Sequence, residues 1–204
     1  MRKSHEDRKA EIIQATLDVA ADAKSRKITT QIIADKLQIS QPTIFKHFKN
    51  NDTLFLAVFE WVAGKIFANF DKGQTQEGNR PQDEVQPKAQ LEYLLMAQVS
   101  FMNRNPGVAR LIFSDHVYKG PQQLKTVIQK IMAMYIQRLS GVIADGVHYG
   151  QFRADIDPDV AARLMVSTLQ GVIVRWSVHD FVFDLPAEVK SLLPLLMAAL
   201  ERSE

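Results

Sequence analysis

The chain has 204 residues, of which 46% are hydrophobic and 24% are charged, values typical of an ordinary globular protein. It contains no cysteine, which excludes disulfide scaffolds, thiol nucleophiles and metal sites built on cysteine. Charges interrupt every apolar run before it reaches the length of a membrane span, and no signal-peptide core follows the first residues, so we expect a cytoplasmic protein without a membrane partner.

The net charge of +2 is unevenly distributed along the chain. Residues 1–50 carry ten Lys and Arg against six Asp and Glu, whereas residues 51–204 carry fifteen against seventeen. A basic N-terminal part is compatible with nucleic-acid binding, but the surplus is modest and equally fits a solvated surface. Charge alone leaves both interpretations open.

Helical periodicity dominates the sequence and predicts an all-α protein of about nine helices. The first helix begins with a capping-box pattern, in which Ser4 is followed three residues later by Asp7. Apolar residues such as Ile12 and Leu17 then recur on one side of this helix, which predicts that it is half-buried.

Two short helices follow the first. Thr29 or Thr30 can cap a second helix that ends near Leu37, and Ser40 can cap a third that has Pro42 in its first turn. Polar residues lie on the outer side of the third helix. Two short helices joined by a tight turn are typical of a helix-turn-helix, although a solvated helical hairpin without DNA contacts fits the periodicity equally well.

A fourth, aromatic helix begins at Asn50 or Asn51 and extends to residue 70, and a flexible loop is expected over 71–87 because that stretch has few apolar residues. We expect this helix to be the only covalent connection between the N-terminal head and the rest of the chain. The remaining predicted helices are 88–104, 106–118, 121–146, 157–181 and 186–202.

The order of residues in the N-terminal part resembles the signature of TetR-family transcriptional regulators. The matching positions are Thr29, Ile33-Ala34, Leu37, Ile39-Ser40, Thr43-Ile44-Phe45, His47-Phe48 and Leu54. The resemblance implies an all-helical homodimer with a helix-turn-helix DNA-binding domain at residues 1–50. Residues 51–204 are implied to form a larger helical domain that binds a small effector and dimerises.

The candidate DNA-binding residues have side chains that can bond base edges or phosphates, or lie beside such side chains. They are Thr29, Thr30, Gln31, Ser40, Gln41, Pro42, Thr43, Phe45, Lys46, His47 and Lys49. For two of them a local role is an alternative: His47 can favour the negative end of the helix dipole, and Thr29 can be an N-cap only.

Three positions depart from the family pattern. Gln38 stands where glycine is usual in the turn, so a left-handed conformation would be mildly strained there. Phe45 stands where tyrosine is usual and lacks its hydroxyl, and Asn51 replaces a common lysine. Both changes remove phosphate contacts, which leaves operator affinity more dependent on Lys46 and Lys49.

The C-terminal part shows no catalytic constellation, and no metal site or cofactor is expected. Its histidines lie far apart in sequence and no glycine-rich phosphate loop follows a strand. We therefore expect a protein that is not an enzyme.

The last two predicted helices are too apolar for the surface of a monomer and are candidates for an isologous four-helix dimer interface. The alternative is one unusually large core within a monomer. The proposed interface residues are Leu164, Leu169, Ile173, Leu192, Leu196 and Leu200.

Aromatic, methionine and polar residues of the C-terminal part are candidates for an effector pocket, although each also fits a plain core position. They are Met96, Phe101, Phe113, His116, Met134, Tyr135, Thr168, Arg175 and Trp176. Arg175 has the further alternative of an ion pair with an acid such as Asp180.

Together with the patterns above, the resemblance implies a dimeric, sequence-specific regulator of transcription, most simply a repressor released from a palindromic operator by an unknown small-molecule effector. The alternatives are a structural or nucleoid-associated DNA-binding protein without an effector, and a protein-interaction module that binds no DNA.

Overall fold

The computed structural model describes residues 4–22, 28–74 and 86–201 of the chain, with the side chains of 69–74 excepted. These residues form ten α-helices and no strand, which confirms the all-α class. The helices are α1 (His5–Ala21), α2 (Thr30–Leu37), α3 (Gln41–Phe45), α4 (Asn51–Gln74), α5 (Pro87–Arg104), α6 (Pro106–Ile112), α7 (Asp115–Tyr118), α8 (Gln122–His148), α9 (Pro158–Val178) and α10 (Leu185–Ala198).

Several helix boundaries differ from those expected. The segment 106–118 forms two helices, because Phe113 leaves helical geometry and Ser114 begins a new turn. Helix α4 continues to Gln74, four residues into the loop that was expected over 71–87, and residues 75–85 lie outside the described residues. Helix α9 ends at Val178 rather than 181, because backbone φ is positive at the two residues 180 and 181.

The first helix begins as its sequence predicts. The Asp7 amide donates to Ser4 Oγ at 3.1 Å, and the Ser4 amide donates back to Asp7 Oδ2 at 3.3 Å, which completes the capping box. Ile12 and Leu17 are buried on the inner side of the helix.

The chain divides into two compact units, Met1–Gly64 with Asn105–Gln129, and Lys65–Arg104 with Lys130–Glu204. The division does not fall at residue 50, and the chain passes between the units three times: within α4, before α6 and within α8. Helix α4 is therefore not the only covalent connection, contrary to expectation. The reason is that α6 and α7 pack with the N-terminal helices.

The first unit is held together by close packing of α6 on α1. Gly107 permits this packing, because a Cβ atom added there would lie 1.9 Å from the carbonyl oxygen of Leu17. Arg110 Nη1 donates to the carbonyl oxygen of Ala21 at 2.9 Å and so satisfies the C-terminal end of α1. The ring of His116 on α7 packs on Phe55 of α4, with centroids 4.3 Å apart.

The second unit packs α10 against α5 and α9. Its core includes the buried side chains of Leu94 and Leu139, and Trp176, whose indole Nε1 donates to the carbonyl oxygen of Phe183 at 2.9 Å. Helix α10 contains Pro194 in its interior, a feature that apolar periodicity does not disclose. None of the described helices is both long and apolar enough to cross a membrane.

Candidate nucleic-acid interface

Helices α2 and α3 form a helix-turn-helix whose turn depends on Gln38. This residue adopts a left-handed conformation, with φ 55° and ψ 41°, and its amide and that of Ile39 both donate to the carbonyl oxygen of Ala34. The turn therefore has the left-handed conformation that glycine usually adopts, although the residue is a glutamine. A left-handed conformation costs an L-residue roughly 1–2 kcal/mol.

The helix-turn-helix has an apolar core, and α2 packs against both α1 and α3. Ile33, Ala34, Ile44, Phe48 and Leu54 are all buried. Phe48 is thus a core residue. The outer side of α3 faces solvent.

The caps of the two helices differ. Thr29 Oγ1 accepts from the Ile32 amide at 3.3 Å, so Thr29 is the N-cap of α2. Ser40 occupies the N-cap position of α3, but its hydroxyl lies 2.9 Å from Thr43 Oγ1 and accepts no backbone amide. The prediction that Ser40 caps the helix through its side chain is therefore wrong. The Ser40 hydroxyl pairs with the Thr43 hydroxyl instead of accepting from a backbone amide.

Helix α3 is short and ends at Phe45, with Lys46 as its C-cap. Pro42, Phe45, Lys46 and Lys49 are exposed, and Phe45 keeps 43% of its surface accessible. Gln41 and Thr43 are half-buried. The structure thus brings most of the candidate DNA-binding residues to one exposed region around α3.

Two residues of α2 are placed differently from the others. Thr30 is only 4% exposed, and its hydroxyl accepts from Gln41 Nε2 at 2.8 Å, so most of its surface is covered by its neighbours. Its contact with DNA stays a prediction. Gln31 is exposed, and its Nε2 donates to Asp35 Oδ1 at 2.7 Å.

His47 is half-buried and its ring stacks on His5 of α1, with centroids 4.3 Å apart. Burial lowers the pKa of His47, and the nearby positive charges of His5, Arg8 and Lys9 lower it further, with Glu6 acting in the opposite direction. The neutral imidazole is therefore the main form at pH 7. The contact with His5 was not foreseen, because no local pattern connects the start of α1 with the end of α3.

A surface cavity of about 420 Å³ lies beside α3 and is lined by Thr30, Gln41, Phe45, Asn50, Asn51 and Asp52. Asn50 caps α4, since its Oδ1 accepts from the Thr53 amide at 2.9 Å. The sequence interpretation did not include Asn50 or Asp52 in the site. The available signal was the N-cap pattern that directly follows the third helix.

The candidate effector residues do not fall in one compact unit. Phe113 and His116 belong to the first unit and the other seven to the second. In the second unit Phe101, Tyr135 and Trp176 are buried, and burial raises the pKa of the Tyr135 hydroxyl well above its usual range.

The remaining effector candidates are less enclosed. Met96 is half-buried and Met134 is 50% exposed. The hydroxyl of Thr168 donates to the carbonyl oxygen of Leu164 at 2.9 Å, within its own helix. Arg175 pairs with Glu188 and lies over the Phe183 ring, so the alternative of an ion pair is realised with a different acid from Asp180.

The six candidate interface residues divide by burial. Leu164 is 54% exposed, and Leu192 and Leu196 are half-buried. Leu169, Ile173 and Leu200 are at most 4% exposed, so their side chains belong to the protomer's own core. α9 is apolar on several sides, and periodicity alone does not show which side faces inward.

Comparison with known proteins covers nearly the whole chain. Residues 12–58 match the family described as "Bacterial regulatory proteins, tetR family", and residues 74–199 match "YsiA-like protein, C-terminal region". The second match alone spans more than half of the chain.

Curated relatives and solved structures agree with these matches. The chain is 20% identical over 190 residues to the fatty acid metabolism regulator protein of Bacillus subtilis, covering 93% of this chain and 94% of that protein. It is 20% identical over 181 residues to the nucleoid occlusion factor SlmA of a Marinomonas species, covering 89% and 88%.

The fold is similar to the crystal structure of the transcriptional regulator FadR from Bacillus subtilis in complex with stearoyl-CoA. The TM-score is 0.72 at 20% identity, and the alignment covers 94% of this chain and 99% of that chain. With both of its parts matched and a helix-turn-helix in place, the chain belongs to the TetR family and is a DNA-binding regulator of transcription.

Proposed function

We propose that this regulator is a homodimeric repressor that binds a near-palindromic operator through its two α3 helices and is released by a small-molecule effector. The observation that supports the DNA-binding part most directly is the exposed region around α3. There Gln41 and Thr43 stand at the start of the helix, Lys46 caps its C-terminal end and Lys49 follows three residues later. We expect such a regulator to act in the cytoplasm, where bacterial DNA is found.

The roles within this region follow from side-chain chemistry. Gln41 and Thr43 lie in the first turn of α3, the part of a recognition helix that contacts base edges in the major groove. Lys46 and Lys49 offer charges to phosphates. Phe45 offers an apolar surface, which fits contact with a thymine methyl group or a sugar, but it offers no hydrogen bond.

The dimer is supported by a continuous exposed seam on α9. Its residues alternate in steps of four and three, the spacing at which two packed helices meet. They are Val160, Leu164, Ser167, Gly171, Val174 and Val178, and all six are exposed in the protomer. On α10, Leu195 is 72% exposed. An apolar seam of this length indicates a protein partner, and an isologous contact with a second copy is the arrangement we propose.

The proposed interface accordingly keeps Leu164, Leu192 and Leu196 from the sequence prediction. It replaces the buried residues of α9 and α10 with the α9 seam and Leu195. Ser167 and Gly171 at the centre of the seam are small, and a Cβ added at Gly171 would meet no atom of the described protomer within 4 Å. Two α9 helices can therefore approach closely at this point.

The DNA-binding proposal is tested by selecting bound sequences from a pool of random duplexes and sequencing them. A dimer with two α3 helices predicts two inverted half-sites whose centres lie about 34–36 Å apart, one turn of the duplex. If a single half-site is enriched, or no sequence at all, the proposal that a dimer binds a palindromic operator is contradicted.

For the effector, we propose a long-chain acyl-CoA. The support is the match of residues 74–199 to a family C-terminal region, and the likeness to a Bacillus subtilis regulator whose structure contains stearoyl-CoA. The test adds stearoyl-CoA, free coenzyme A or stearate to the protein–operator complex and follows dissociation by fluorescence anisotropy. Release by the acyl-CoA alone supports the proposal, and an unchanged complex contradicts it.

The second candidate function is a nucleoid-associated DNA-binding protein that needs no effector. The observation that favours it is the similarity to nucleoid occlusion factor SlmA from several bacteria, at 20–22% identity in the first three of these relatives. Occupancy mapped along the chromosome separates the two candidates. A repressor occupies a few promoters, whereas a nucleoid-associated protein occupies many sites irrespective of promoters.

A further inference from the structure

We propose that Thr30 is a positioning residue that orients Gln41 to select adenine over guanine at one base pair of each half-site. The inference rests on the proposed function, since it assumes that α3 enters the major groove. It assigns Thr30 a role in sequence preference that acts through Gln41, since Thr30 itself is only 4% exposed.

The first step is the hydrogen bond between the two side chains. Gln41 is the first residue of α3, and its Nε2 donates to Thr30 Oγ1 at 2.8 Å across eleven residues of sequence. Thr30 is 4% exposed at the start of α2, so its hydroxyl is held by a well-packed helix. The bond therefore fixes the amide plane of Gln41 before DNA arrives.

The second step is an account of donors and acceptors. A glutamine amide has two N–H donors and one carbonyl oxygen. Because Thr30 accepts one N–H, Gln41 retains one donor and one acceptor. Adenine presents one acceptor, N7, and one donor, N6–H₂, in the major groove, whereas guanine presents two acceptors, N7 and O6. The oriented amide complements adenine and leaves one guanine acceptor unsatisfied.

The third step concerns accessibility. Gln41 is half-buried and lines the cavity of about 420 Å³ beside α3, so part of its amide remains accessible from outside. Asn50 and Asp52 line the same cavity.

The test is selection and sequencing of bound duplexes with the full-length protein and its Thr30→Val variant. Valine keeps the shape of threonine and replaces its hydroxyl with a methyl group. We expect the unmodified protein to prefer adenine over guanine at one position of each half-site on the order of ten-fold, and Thr30→Val to lose most of that preference. Thr30→Ser, which keeps a hydroxyl, is expected to retain it.

Thr16→Val is the matched control. Thr16 is fully buried in the same unit, and its hydroxyl donates to the carbonyl oxygen of Ile12 at 2.7 Å. The control therefore loses a buried threonine hydroxyl as Thr30→Val does, but it has no path to Gln41. Thermal unfolding of both variants measures the stability change, and only Thr30→Val is expected to alter sequence preference.

Gln41→Ala completes the comparison. It is expected to abolish the same preference, and Thr30→Val should then have no further effect on sequence preference in the Gln41→Ala background. Equal loss of affinity on all sequences in Thr30→Val, an unchanged preference, or a preference for guanine in the unmodified protein would overturn the inference. Failure of the unmodified protein to enrich any sequence would overturn the proposed function itself, and the inference with it.

Discussion

Lys46, His47 and Lys49 follow one another at the end of the third helix, yet they differ in charge at neutral pH. The two lysines are exposed, while burial and neighbouring positive charges lower the pKa of His47. A pattern of cationic residue types therefore overstates the positive charge of this segment. Packing against α1 widens the difference, because burial lowers the pKa of a histidine that is already mostly neutral at pH 7.

The first prediction separates these residues by the salt dependence of operator binding. Lys46→Ala and Lys49→Ala should each reduce the slope of log K against log salt by about 0.9, the contribution of one phosphate contact. His47→Gln should leave the slope unchanged at pH 8, because the imidazole is neutral there. Fluorescence anisotropy between about 50 and 200 mM salt measures all three slopes.

The control for this series is Lys130→Ala, which removes an exposed lysine of α8 in the second unit. It should leave the slope as it is in the unmodified protein. Unchanged slopes in both Lys46→Ala and Lys49→Ala would remove these lysines from the DNA contact surface.

The second prediction concerns the stability of the fold against pH. Because the pKa of His47 is lowered in the fold from 6.5, the unfolded chain binds this proton more readily than the folded chain. The free energy of unfolding should thus fall as pH decreases through about 6.5 and level off below the folded pKa. Urea unfolding at several pH values measures it.

His47→Gln isolates the contribution of this residue, because other groups also titrate in the same range. The variant should lose less stability than the unmodified protein between pH 7.5 and 5. An identical loss in both proteins would show that the stack of His47 on His5 does not penalise protonation.

Residues whose role is local could be predicted from the sequence. Thr29 is an N-cap because of the helix that follows it, and Phe48 is buried because its spacing from Ile44 puts both on one side. The bond of Thr30 to Gln41 and the stack of His5 on His47 arise from tertiary packing. Such contacts leave no periodic signal in a single sequence.

Among the elements, the turn between α2 and α3 offers a third prediction. Gln38→Gly removes the penalty of a left-handed side chain but adds freedom to the unfolded chain, so we expect a net stabilisation of about 0.5–1 kcal/mol. Thermal or urea unfolding measures the change. A destabilisation would show that the glutamine side chain makes a compensating contact.

Gln14→Gly is the matched control for the turn. Gln14 is exposed in the middle of α1, where its Nε2 donates to Asp18 Oδ1 at 3.0 Å. The same exchange of residue types there should destabilise the protein by about 1 kcal/mol, because glycine is unfavourable within a helix.

Apolar periodicity predicted the long helices, but it did not always show which side of a helix is buried and which is exposed. Helix α1 has a clear polar side, so its buried residues followed directly. Helix α9 is apolar nearly all round, and only the packed structure distinguishes Leu169 and Ile173, which face the protomer core, from the exposed seam with Leu164. Contact with a second copy of the chain and burial in the protomer's own core both favour apolar residues, so residue type does not distinguish them.

For the whole molecule, the seam on α9 gives a fourth prediction. Gly171→Leu places a large side chain where we propose that two α9 helices approach, and it should convert the dimer to monomers and weaken operator binding. Sedimentation velocity over a range of protein concentrations measures the oligomeric state. A dimer that persists unchanged would place the interface elsewhere.

Gly141→Leu is the control. Gly141 is exposed on α8, and a Cβ added there also meets no atom within 4 Å in the described protomer. Both substitutions should improve helix stability in the protomer by about 0.5–1 kcal/mol. Only the one on the seam should affect association.

The family and the all-α fold could be predicted from the sequence, since the helix-turn-helix pattern and helical periodicity are both local properties. The division into compact units could not be predicted in the same way. It depends on the packing of α6 on α1, and more than eighty residues of sequence separate these two helices. The effector residues also stay a prediction, because the same types of side chain line pockets and fill cores.

Gly107 lies directly against the backbone of Leu17 and is not among the residues proposed to touch DNA. Any larger residue at this position must push α6 away from α1 and so disturb the helix on which α2 of the helix-turn-helix packs. A genetic screen for derepressed mutants would therefore recover changes at this glycine together with changes in α3. Phenotype alone would not distinguish a lost contact from a displaced scaffold.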